Sequence, residues 1–310
     1  MAAWTSEALP SFDRPAPRLR MTLPYALARR FVAGETLDAA LPALAEQLDD
    51  GLFVTLDLLG EHVHERDRAA GFADAYIALV ERLAAFRDAR GADSRAVGIS
   101  IKLSMIGQVI DRDFCEGNLR ALLDVARDAD VFVRLDMEGS DITQSTLDIL
   151  EAVYPDYPDH TGTVLQAYLH RTDGDVARMC ELGARTRLCK GAYGEPATIA
   201  YQDMPTIRWH YLKHARRLLA DGRYPGIATH DDKIIEAVKR HVADTGVGRD
   251  AFEFQMLYGL RPEAQRQLVR DGYNMRCYVP YGTEWLPYFS RRLRERKENV
   301  FFVLKALVKG

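Results

Sequence analysis

Short apolar runs alternate with amphipathic stretches along most of the chain. Eight of the runs have the length and composition of buried strands, and the stretch that follows each one has apolar residues at helical spacing. The runs span residues 52–60, 96–104, 130–138, 162–170, 185–193, 225–230, 251–259 and 275–280. A strand and a helix that alternate in this way predict an α/β fold, a (β/α)8 barrel of the TIM type.

The main alternative for such alternation is a doubly wound open sheet. That fold typically carries a glycine-rich GxGxxG turn after its first strand, where the backbone approaches a dinucleotide. The corresponding segment here, LDLLGEHVHE, contains no such motif. The barrel is therefore the preferred interpretation.

The two ends of the chain differ from this alternation. Residues 1–20 are proline-rich and lack apolar periodicity, so we interpret them as a loose leader. Residues 21–50 have helical spacing and end at an Asp-Asp-Gly stop, which predicts short lead-in helices. Residues 51–310 are then expected to form the barrel and to end in a C-terminal helix.

Composition and charge narrow the range of partners. The chain has 310 residues, 47% of them hydrophobic, and a formal net charge of −4, so one large domain can form and nucleic acid is not an expected partner. Four scattered cysteines without a CxxC pair, and an N-terminus without the pattern of a signal peptide, favour a reducing cytoplasm. The apolar segment 300–308 is much shorter than the roughly 20 residues of a membrane-spanning helix, so we expect at most peripheral membrane contact.

Polar residues cluster at the predicted ends of the strands. In a (β/α)8 barrel the functional residues lie at the C-terminal ends, and buried charges there are unfavourable unless they are paired or bind a ligand. The residues are Asp57, Glu61, Lys102, Asp136, Glu138, Gln166, Arg187, Lys190, Thr229, His230, Glu253, Gln255 and Tyr278. For each residue alone, a structural hydrogen bond to a loop explains its position as well as a functional role does. Together around one mouth, these residues favour a functional site.

An arginine pair lies in the helix predicted after the eighth strand. Arg291 and Arg292 follow Tyr288 by three and four residues, which puts the aromatic ring on the same helix face. Two guanidinium groups beside an aromatic ring suit a planar carboxylate or a phosphate. For the pair alone, a solvated basic helix is an equal alternative, because three more basic residues follow by residue 297.

A metal-dependent hydrolase of the barrel type is the alternative function. His62 and His64 follow the first strand, Lys190 ends the fifth and His230 ends the sixth. Such enzymes use a His-x-His pair, a bridging lysine and further histidine or aspartate ligands. Against this alternative, the histidine pair lies in the predicted loop, and the eighth strand ends in Tyr278 where an aspartate ligand is expected.

The strand-end motifs resemble those of the proline dehydrogenase family. In order along the chain they are IKLS, RLDMEGS, QAYLHR, RLCKGAY, ATHDD, FEFQMLYG and RCYVPYG followed by RRL, within about residues 50–300. Each string is short, but their joint order, each on its own predicted strand, makes an accidental match improbable. The chain is most similar to the short, single-function bacterial form, because it has no room for an aldehyde dehydrogenase domain.

The resemblance implies a distorted barrel that binds FAD non-covalently and oxidises L-proline to Δ1-pyrroline-5-carboxylate, the first step of proline catabolism to glutamate. It implies hydride transfer to the flavin N5 and then electron transfer to a quinone. It also implies a pyrroline-5-carboxylate dehydrogenase as a partner enzyme. The enzyme would be a flavin-dependent oxidoreductase that acts on a CH–NH group, in the cytoplasm with peripheral contact at the inner membrane.

By position, the resemblance assigns roles to residues at the strand ends. Asp136 and Arg187 would be catalytic, with Asp136 bordering flavin and substrate and Arg187 near the flavin N5. Substrate would be bound by Lys102, Arg291 and Arg292 at its carboxylate and by Tyr193, Leu257, Tyr278 and Tyr288 around its ring. FAD would be bound by Met137, Gln166, Arg187, Lys190, Gly191, Ala192, Thr229, His230 and Gln255, and no metal is implied.

The implied reaction needs the neutral amine of proline, which is largely protonated at neutral pH. Three cations around the carboxylate would lower the pKa of that amine and ease its deprotonation. Asp136 would act in the opposite direction, because a carboxylate favours the charged ammonium. Whether Asp136 accepts the amine proton or orients Lys102 and Arg187 stays open at the level of sequence.

Overall fold

Eight parallel strands close into a barrel in chain order, and a helix follows each strand. The structure is a computed structural model that describes residues 28–60 and 62–295, with only the backbone for 291–295. The strands are β1 (Phe53–Leu58), β2 (Val97–Ile101), β3 (Phe132–Leu135), β4 (Thr161–Gln166), β5 (Arg185–Cys189), β6 (Gly226–Ala228), β7 (Glu253–Leu257) and β8 (Asn274–Tyr281). The helices are α1 (Leu37–Asp49), α2 (Arg66–Ala89), α3 (Arg112–Asp128), α4 (Ser140–Val153), α5 (Thr172–Leu182), α6 (Met204–Asp221), α7 (Asp232–Thr245), α8 (Pro262–Arg270) and α9 (Trp285–Glu295). Each strand overlaps one of the eight predicted runs, so the barrel prediction is confirmed.

The strands are continuous apolar runs because the barrel buries both of their faces. All five residues of β2 are buried. In the ladder of β1, Leu56 lies opposite Ile99 of β2 on one side and Val279 of β8 on the other. The pairing of β1 with β8 closes the barrel, so the C-terminal ends of all eight strands surround one mouth.

Glycines inside the barrel leave room for long polar side chains below the mouth. A Cβ on Gly162 of β4 would lie 2.2 Å from the carbonyl oxygen of Arg185 and 3.0 Å from the guanidinium group of Arg134. A Cβ on Gly226 of β6 would lie 2.5 Å from the amide nitrogen of Gln255. Arginine and glutamine side chains therefore occupy space that larger residues at these positions would fill.

The segment before the barrel passes the C-terminal end of β8. Within the described part of residues 21–50, one helix forms, α1, and Thr36 caps it by accepting a hydrogen bond from the N–H three residues on (3.3 Å). Just before this cap, the Ala33 N–H donates to the carbonyl of Pro280 (2.9 Å). The predicted lead-in therefore contains a helix, and its N-terminal end is fixed beside the mouth.

A second apolar cluster joins this lead-in segment to α9. It contains Ala28, Phe31, Val32, Leu59, Leu260, Tyr288 and Phe289. The ring centres of Phe31 and Phe289 are 6.2 Å apart, and Trp285 meets Phe289 edge to face at 6.1 Å. The helix that follows the eighth strand is therefore packed beside the mouth.

None of the helices in the described ranges combines the length and the apolar character that crossing a membrane requires. The predicted leader (1–20) and the segment after residue 295, including 300–308, lie outside the described residues. The predicted bounds of the leader and of the C-terminal helix therefore stay predictions.

Candidate active site

Arg187, Asp136 and Tyr278 form a hydrogen-bonded group at the mouth of the barrel. Arg187 Nη1 donates to Asp136 Oδ1 (2.8 Å), and the hydroxyl of Tyr278 donates to Asp136 Oδ2 (2.7 Å). Ser100 of β2 donates to Asp136 Oδ1 as well (3.0 Å). The guanidinium carbon of Arg187 lies 5.2 Å from the centre of the Tyr278 ring. The two residues predicted to be catalytic therefore contact each other and one predicted wall of the substrate pocket.

Tyr278 keeps its proton in this group. Burial raises the pKa of Tyr278 well above its usual value, and the carboxylates of Asp136 and Asp57 raise it further. The phenol is therefore a permanent donor at neutral pH. With Arg187 and Ser100 it gives Asp136 three donors, which hold its carboxylate in one orientation.

A buried ion pair lies next to this group. Lys102 Nζ is 2.8 Å from Asp57 Oδ1, and the two side chains are 9% and 2% exposed. Burial by itself lowers the pKa of a lysine, but the carboxylates of Asp57 and Asp136 outweigh it and raise the pKa of Lys102. Lys102, predicted to bind a carboxylate, is therefore a protonated cation at the mouth.

The loop after β5 is held over the mouth by contacts with β4 and the turn that follows it. Gly191 has φ +125°, and a Cβ there would lie 2.2 Å from the ring of Tyr168. The Ala192 N–H donates to Gln166 Oε1 (3.4 Å), and the hydroxyl of Tyr168 donates to the carbonyl of Tyr193 (3.2 Å). Four predicted site residues, Gln166, Gly191, Ala192 and Tyr193, are therefore brought together.

Glu195 fixes the far part of the same loop. Its carboxylate accepts hydrogen bonds from the N–H (2.8 Å) and the hydroxyl (2.6 Å) of Ser140, the first residue of α4. A carboxylate at a helix N-terminus satisfies a free N–H and is favoured by the helix dipole. The loop that carries Gly191 is therefore tied at both ends.

Two cations converge on one carboxylate at the ends of β5 and β6. Lys190 Nζ lies 3.2 Å and Arg208 Nε 2.7 Å from Asp231 Oδ2, and Thr229 Oγ1 accepts from the Asp231 N–H (3.1 Å). His230 Nε2 accepts a hydrogen bond from a backbone N–H of β7 (3.0 Å). The predicted cofactor residues Lys190, Thr229 and His230 are therefore neighbours around the start of α7.

Gln255 and Met137 are buried, as are the predicted flavin contacts Gln166, Arg187 and Thr229. Gln255 is 3% exposed and accepts a hydrogen bond from Arg187 Nε (2.5 Å) at its Oε1. Met137 is 7% exposed and belongs to the main apolar core. Both lie beside residues of the mouth, and their contact with a flavin stays a prediction.

The predicted substrate wall is described in part. Leu257 packs against the apolar cluster that contains Tyr288, so these two wall residues share one environment. The side chains of Arg291 and Arg292 lie outside the described residues, although their backbone continues the helix of Tyr288. The carboxylate clamp therefore stays a prediction.

The residues of the metal-hydrolase alternative do not form a metal site. His62 and His64 are exposed in the loop before α2, whereas Lys190 contacts Asp231 and His230 binds a backbone N–H. In the ranges 28–60 and 62–295, no group of three or more histidine, cysteine, aspartate or glutamate side chains is arranged to hold a metal ion. The alternative has no support in this structure.

Two further residues belong to the site: Ser100, which was not among the predicted residues, and Asp57, which was a predicted strand-end residue without an assigned role. They lie directly opposite each other in the ladder between β1 and β2. Asp57 pairs with Lys102, and Ser100 binds both Asp136 and Arg187. The available signal was a polar residue inside an otherwise apolar strand, two positions before Lys102 in the case of Ser100.

Known proteins share both the sequence and the barrel. Residues 40–305 match the profile of a family described as proline dehydrogenase. The proline dehydrogenase of Deinococcus radiodurans is 41% identical over 92% of this chain and 91% of its own length. Proline dehydrogenase 1 of Bacillus subtilis strain 168 is 39% identical over 91% of this chain and 91% of its own length.

A solved structure extends this likeness to three dimensions. It is the crystal structure of proline utilization A from Bdellovibrio bacteriovorus inactivated by N-propargylglycine, with a TM-score of 0.79 and 28% identity. The match covers 86% of this chain and 32% of that one, so this chain spans about a third of that protein. Profile, relatives and fold agree, and the chain belongs to the proline dehydrogenase family, a flavin-dependent family of proline catabolism.

Proposed function

We propose that this chain oxidises L-proline to Δ1-pyrroline-5-carboxylate, with non-covalently bound FAD as hydride acceptor and a quinone as electron acceptor. The observation that carries the proposal is the group of Arg187, Asp136 and Tyr278 beside a protonated Lys102 at the mouth. When bound, FAD would take the hydride from Cδ, the ring CH2 carbon bonded to the proline nitrogen. A pyrroline-5-carboxylate dehydrogenase would consume the product, and the enzyme would act in the cytoplasm with peripheral contact at the inner membrane, where quinones reside.

The donor set at the mouth fits a flavin dinucleotide. Lys190 and Arg208 on the carboxylate of Asp231 place two cations beside the start of α7, an environment that favours a pyrophosphate. Gly191, whose positive φ favours glycine, has no side chain, so a ligand can approach the backbone closely there. Arg187 supplies positive charge for a reduced, anionic flavin. We therefore assign to FAD the predicted set Met137, Gln166, Arg187, Lys190, Gly191, Ala192, Thr229, His230 and Gln255.

Lys102 has the properties needed to bind the carboxylate of proline. It is protonated and its side chain is 9% exposed, so solvent screens its charge little. A fixed cation also lowers the pKa of a nearby ammonium and favours loss of its proton before hydride transfer. Substrate binding and substrate activation would thus depend on the same charge.

The hydrogen bonds of Asp136 favour a positioning role for this residue. Oδ1 accepts from Arg187 and Ser100, and Oδ2 accepts from Tyr278. Both carboxylate oxygens are therefore already engaged by donors from the protein. We therefore infer that Asp136 orients Arg187 and Tyr278 and that it does not remove the amine proton.

Turnover by the purified protein with L-proline and a soluble quinone analogue tests the proposal. We expect one quinol and one Δ1-pyrroline-5-carboxylate for each proline consumed, and FAD released from the protein by denaturation. Flavin that stays attached to the denatured chain would contradict non-covalent binding. Proline consumption without quinol formation would contradict the assigned acceptor.

Replacing Arg291 or Arg292 with methionine should raise KM for proline by about 10- to 100-fold, because each variant removes one charge-assisted hydrogen bond worth about 1.5–3 kcal/mol. Initial rates over a range of proline concentrations measure the effect. Lys297→Met, further along the same basic segment, is the control and should leave KM unchanged. An unchanged KM in both arginine variants would rule out the clamp.

Replacing Gly191 with alanine should weaken FAD binding by about 10-fold or more, because a positive φ costs a non-glycine residue about 1–3 kcal/mol. The added Cβ would also overlap the ring of Tyr168 and displace the loop. Fluorescence titration of the apoprotein with FAD measures the effect. Gly194→Ala is a control in the same loop, since a Cβ there meets no atom within 4 Å; equal FAD affinity in the two variants would refute the role of Gly191.

A further inference from the structure

A column of buried polar side chains extends from Arg187 into the barrel. Glu253 and Gln255 are two residues apart on β7 and are 2% and 3% exposed. Arg187 Nε donates to Gln255 Oε1 (2.5 Å), and Gln255 Nε2 donates to Glu253 Oε1 (2.5 Å). Arg276 Nε donates to the same oxygen of Glu253 (2.7 Å). The column connects the mouth with the N-terminal end of the strands.

Arg276 anchors the lower end of this column to the backbone. Its Nη1 donates to the carbonyl of Val54 in β1 (2.9 Å), and its Nη2 donates to the carbonyl of Arg95 (2.9 Å). Three donors of one guanidinium group are thus engaged, two of them by main-chain atoms. The carboxylate of Glu253 is therefore held at a fixed place inside the barrel.

Glu253 is ionised despite its burial. Burial alone would raise the pKa of Glu253, but the guanidinium groups of Arg276 and Arg134 outweigh it and lower the pKa. An ionised carboxylate only accepts hydrogen bonds. The group that faces it from Gln255 must therefore be the amide nitrogen.

This constraint determines what Gln255 presents to Arg187. With its nitrogen on Glu253, the amide has its oxygen on Arg187 Nε, which only donates. The opposite orientation would place donor against donor at Arg187 and acceptor against acceptor at Glu253. The unfavourable contacts would be buried, where an unsatisfied polar group costs about 1–3 kcal/mol.

We propose that Glu253 is a positioning residue for Arg187 and acts by fixing the amide orientation of Gln255. This role rests on the proposed function, in which Arg187 lies beside the flavin. Arg187 is then held from two sides, by Asp136 and Ser100 on Nη1 and by Gln255 on Nε. The plane of its guanidinium group is therefore set by two carboxylates, one of them at the other end of the column.

Two variants separate the acceptor role of Glu253 from its charge. Glu253→Gln removes the charge but keeps an oxygen that can accept from Gln255 and Arg276. The double variant Glu253→Met with Arg276→Met removes the acceptor together with the cation that it neutralises, and apolar replacement of a buried ion pair is often tolerated. A role as acceptor predicts damage in the double variant alone, whereas a role as counter-charge predicts damage in Glu253→Gln.

The readout is the Nε–H resonance of Arg187 in full-length protein labelled with 15N-arginine, assigned by its loss in Arg187→Lys. We expect hydrogen exchange of this proton to accelerate by about 10-fold or more in the double variant and to stay within about twofold of the unmodified protein in Glu253→Gln. Unchanged exchange in the double variant would overturn the proposal. Equal acceleration in both variants would overturn it too, because charge and not the acceptor would then matter.

A second measurement needs no substitution and decides the matter even where a variant fails to fold. In the unmodified protein, the side-chain amide protons of Gln255 should show a nuclear Overhauser effect to the Nε–H of Arg276. A comparable effect to the Nε–H of Arg187 in its place would show the opposite amide orientation and overturn the proposal. Neither the hydrogen-exchange measurement nor the nuclear Overhauser effect requires proline oxidation. Failure of the proposed role of Glu253 is therefore distinguishable from failure of the proposed function.

Steady-state kinetics add a functional readout if the protein oxidises proline. We expect kcat to fall by about 10-fold in the double variant with KM for proline within about threefold, because the column ends on Arg187 and none of Glu253, Gln255 and Arg276 is assigned to the substrate. Glu253→Gln should retain kcat within about twofold and so act as the conservative rescue. A rise in KM alone would contradict the positioning of Arg187.

Discussion

Replacing Arg187 with lysine should lower kcat/KM for L-proline by about 100- to 1000-fold, the range seen when a single preorganised donor is removed from an active site. The guanidinium group has donors at fixed angles and uses them to reach Asp136, Ser100 and Gln255. A lysine keeps the charge but is a single point donor on a flexible stem, so it cannot make these contacts together. Most of the loss should appear in kcat, since the charge that attracts the substrate is retained.

Arg185→Lys is the matched control for this prediction. Arg185 lies on the same strand, two residues before Arg187, and its guanidinium carbon lies over Phe132 (5.1 Å) and Tyr224 (5.6 Å) towards the other end of the barrel. The kcat/KM of the Arg185→Lys variant should stay within about threefold of the value for the unmodified protein. An Arg187 variant that is no slower than this control would contradict the assigned role.

Removing either member of the buried pair Lys102 and Asp57 should destabilise the protein by about 3–5 kcal/mol, because the remaining charge is left without a partner. Asp57→Asn leaves a buried ammonium, and Lys102→Met leaves a buried carboxylate. The double variant should recover most of the free energy of unfolding. Urea denaturation of the three variants measures this cycle.

The same three variants separate stability from substrate binding. KM for proline should be raised in Lys102→Met and should stay raised in the double variant, which is stable but lacks the ammonium. In Asp57→Asn the pKa of Lys102 should fall, since burial lowers it and one of the two opposing carboxylates is gone. Lys102 then loses its proton at a lower pH. The increase of KM with pH should therefore begin at a lower pH in Asp57→Asn than in the unmodified protein. A double variant with the original KM would exclude Lys102 as a substrate contact.

The strands of this barrel were predictable because burial on both faces makes each one an apolar run. Their ends were less predictable. The run 162–170 continues past the end of β4 at Gln166 because Ala167, Tyr168 and Leu169 in the following turn are buried as well. Apolar composition does not separate a buried turn from a strand.

The site was predictable as a set of residues but not as a set of contacts. Strand-end position selected Asp136, Arg187 and Tyr278 without regard to their partners. Tyr278 and Asp136 are 142 residues apart, and Arg187 and Gln255 are 68 apart, so their contacts depend on the closure and register of the whole barrel. The pairing of Asp57 with Lys102 required the same information.

The most direct test of the central claim is the absorption spectrum of the purified protein, recorded without oxygen before and after addition of L-proline. We predict the spectrum of an oxidised flavin before addition and loss of its long-wavelength band afterwards, with much slower loss in Arg187→Lys. A preparation without flavin absorption, or a flavin band that excess proline leaves unchanged, would contradict the assignment of this barrel mouth to proline oxidation.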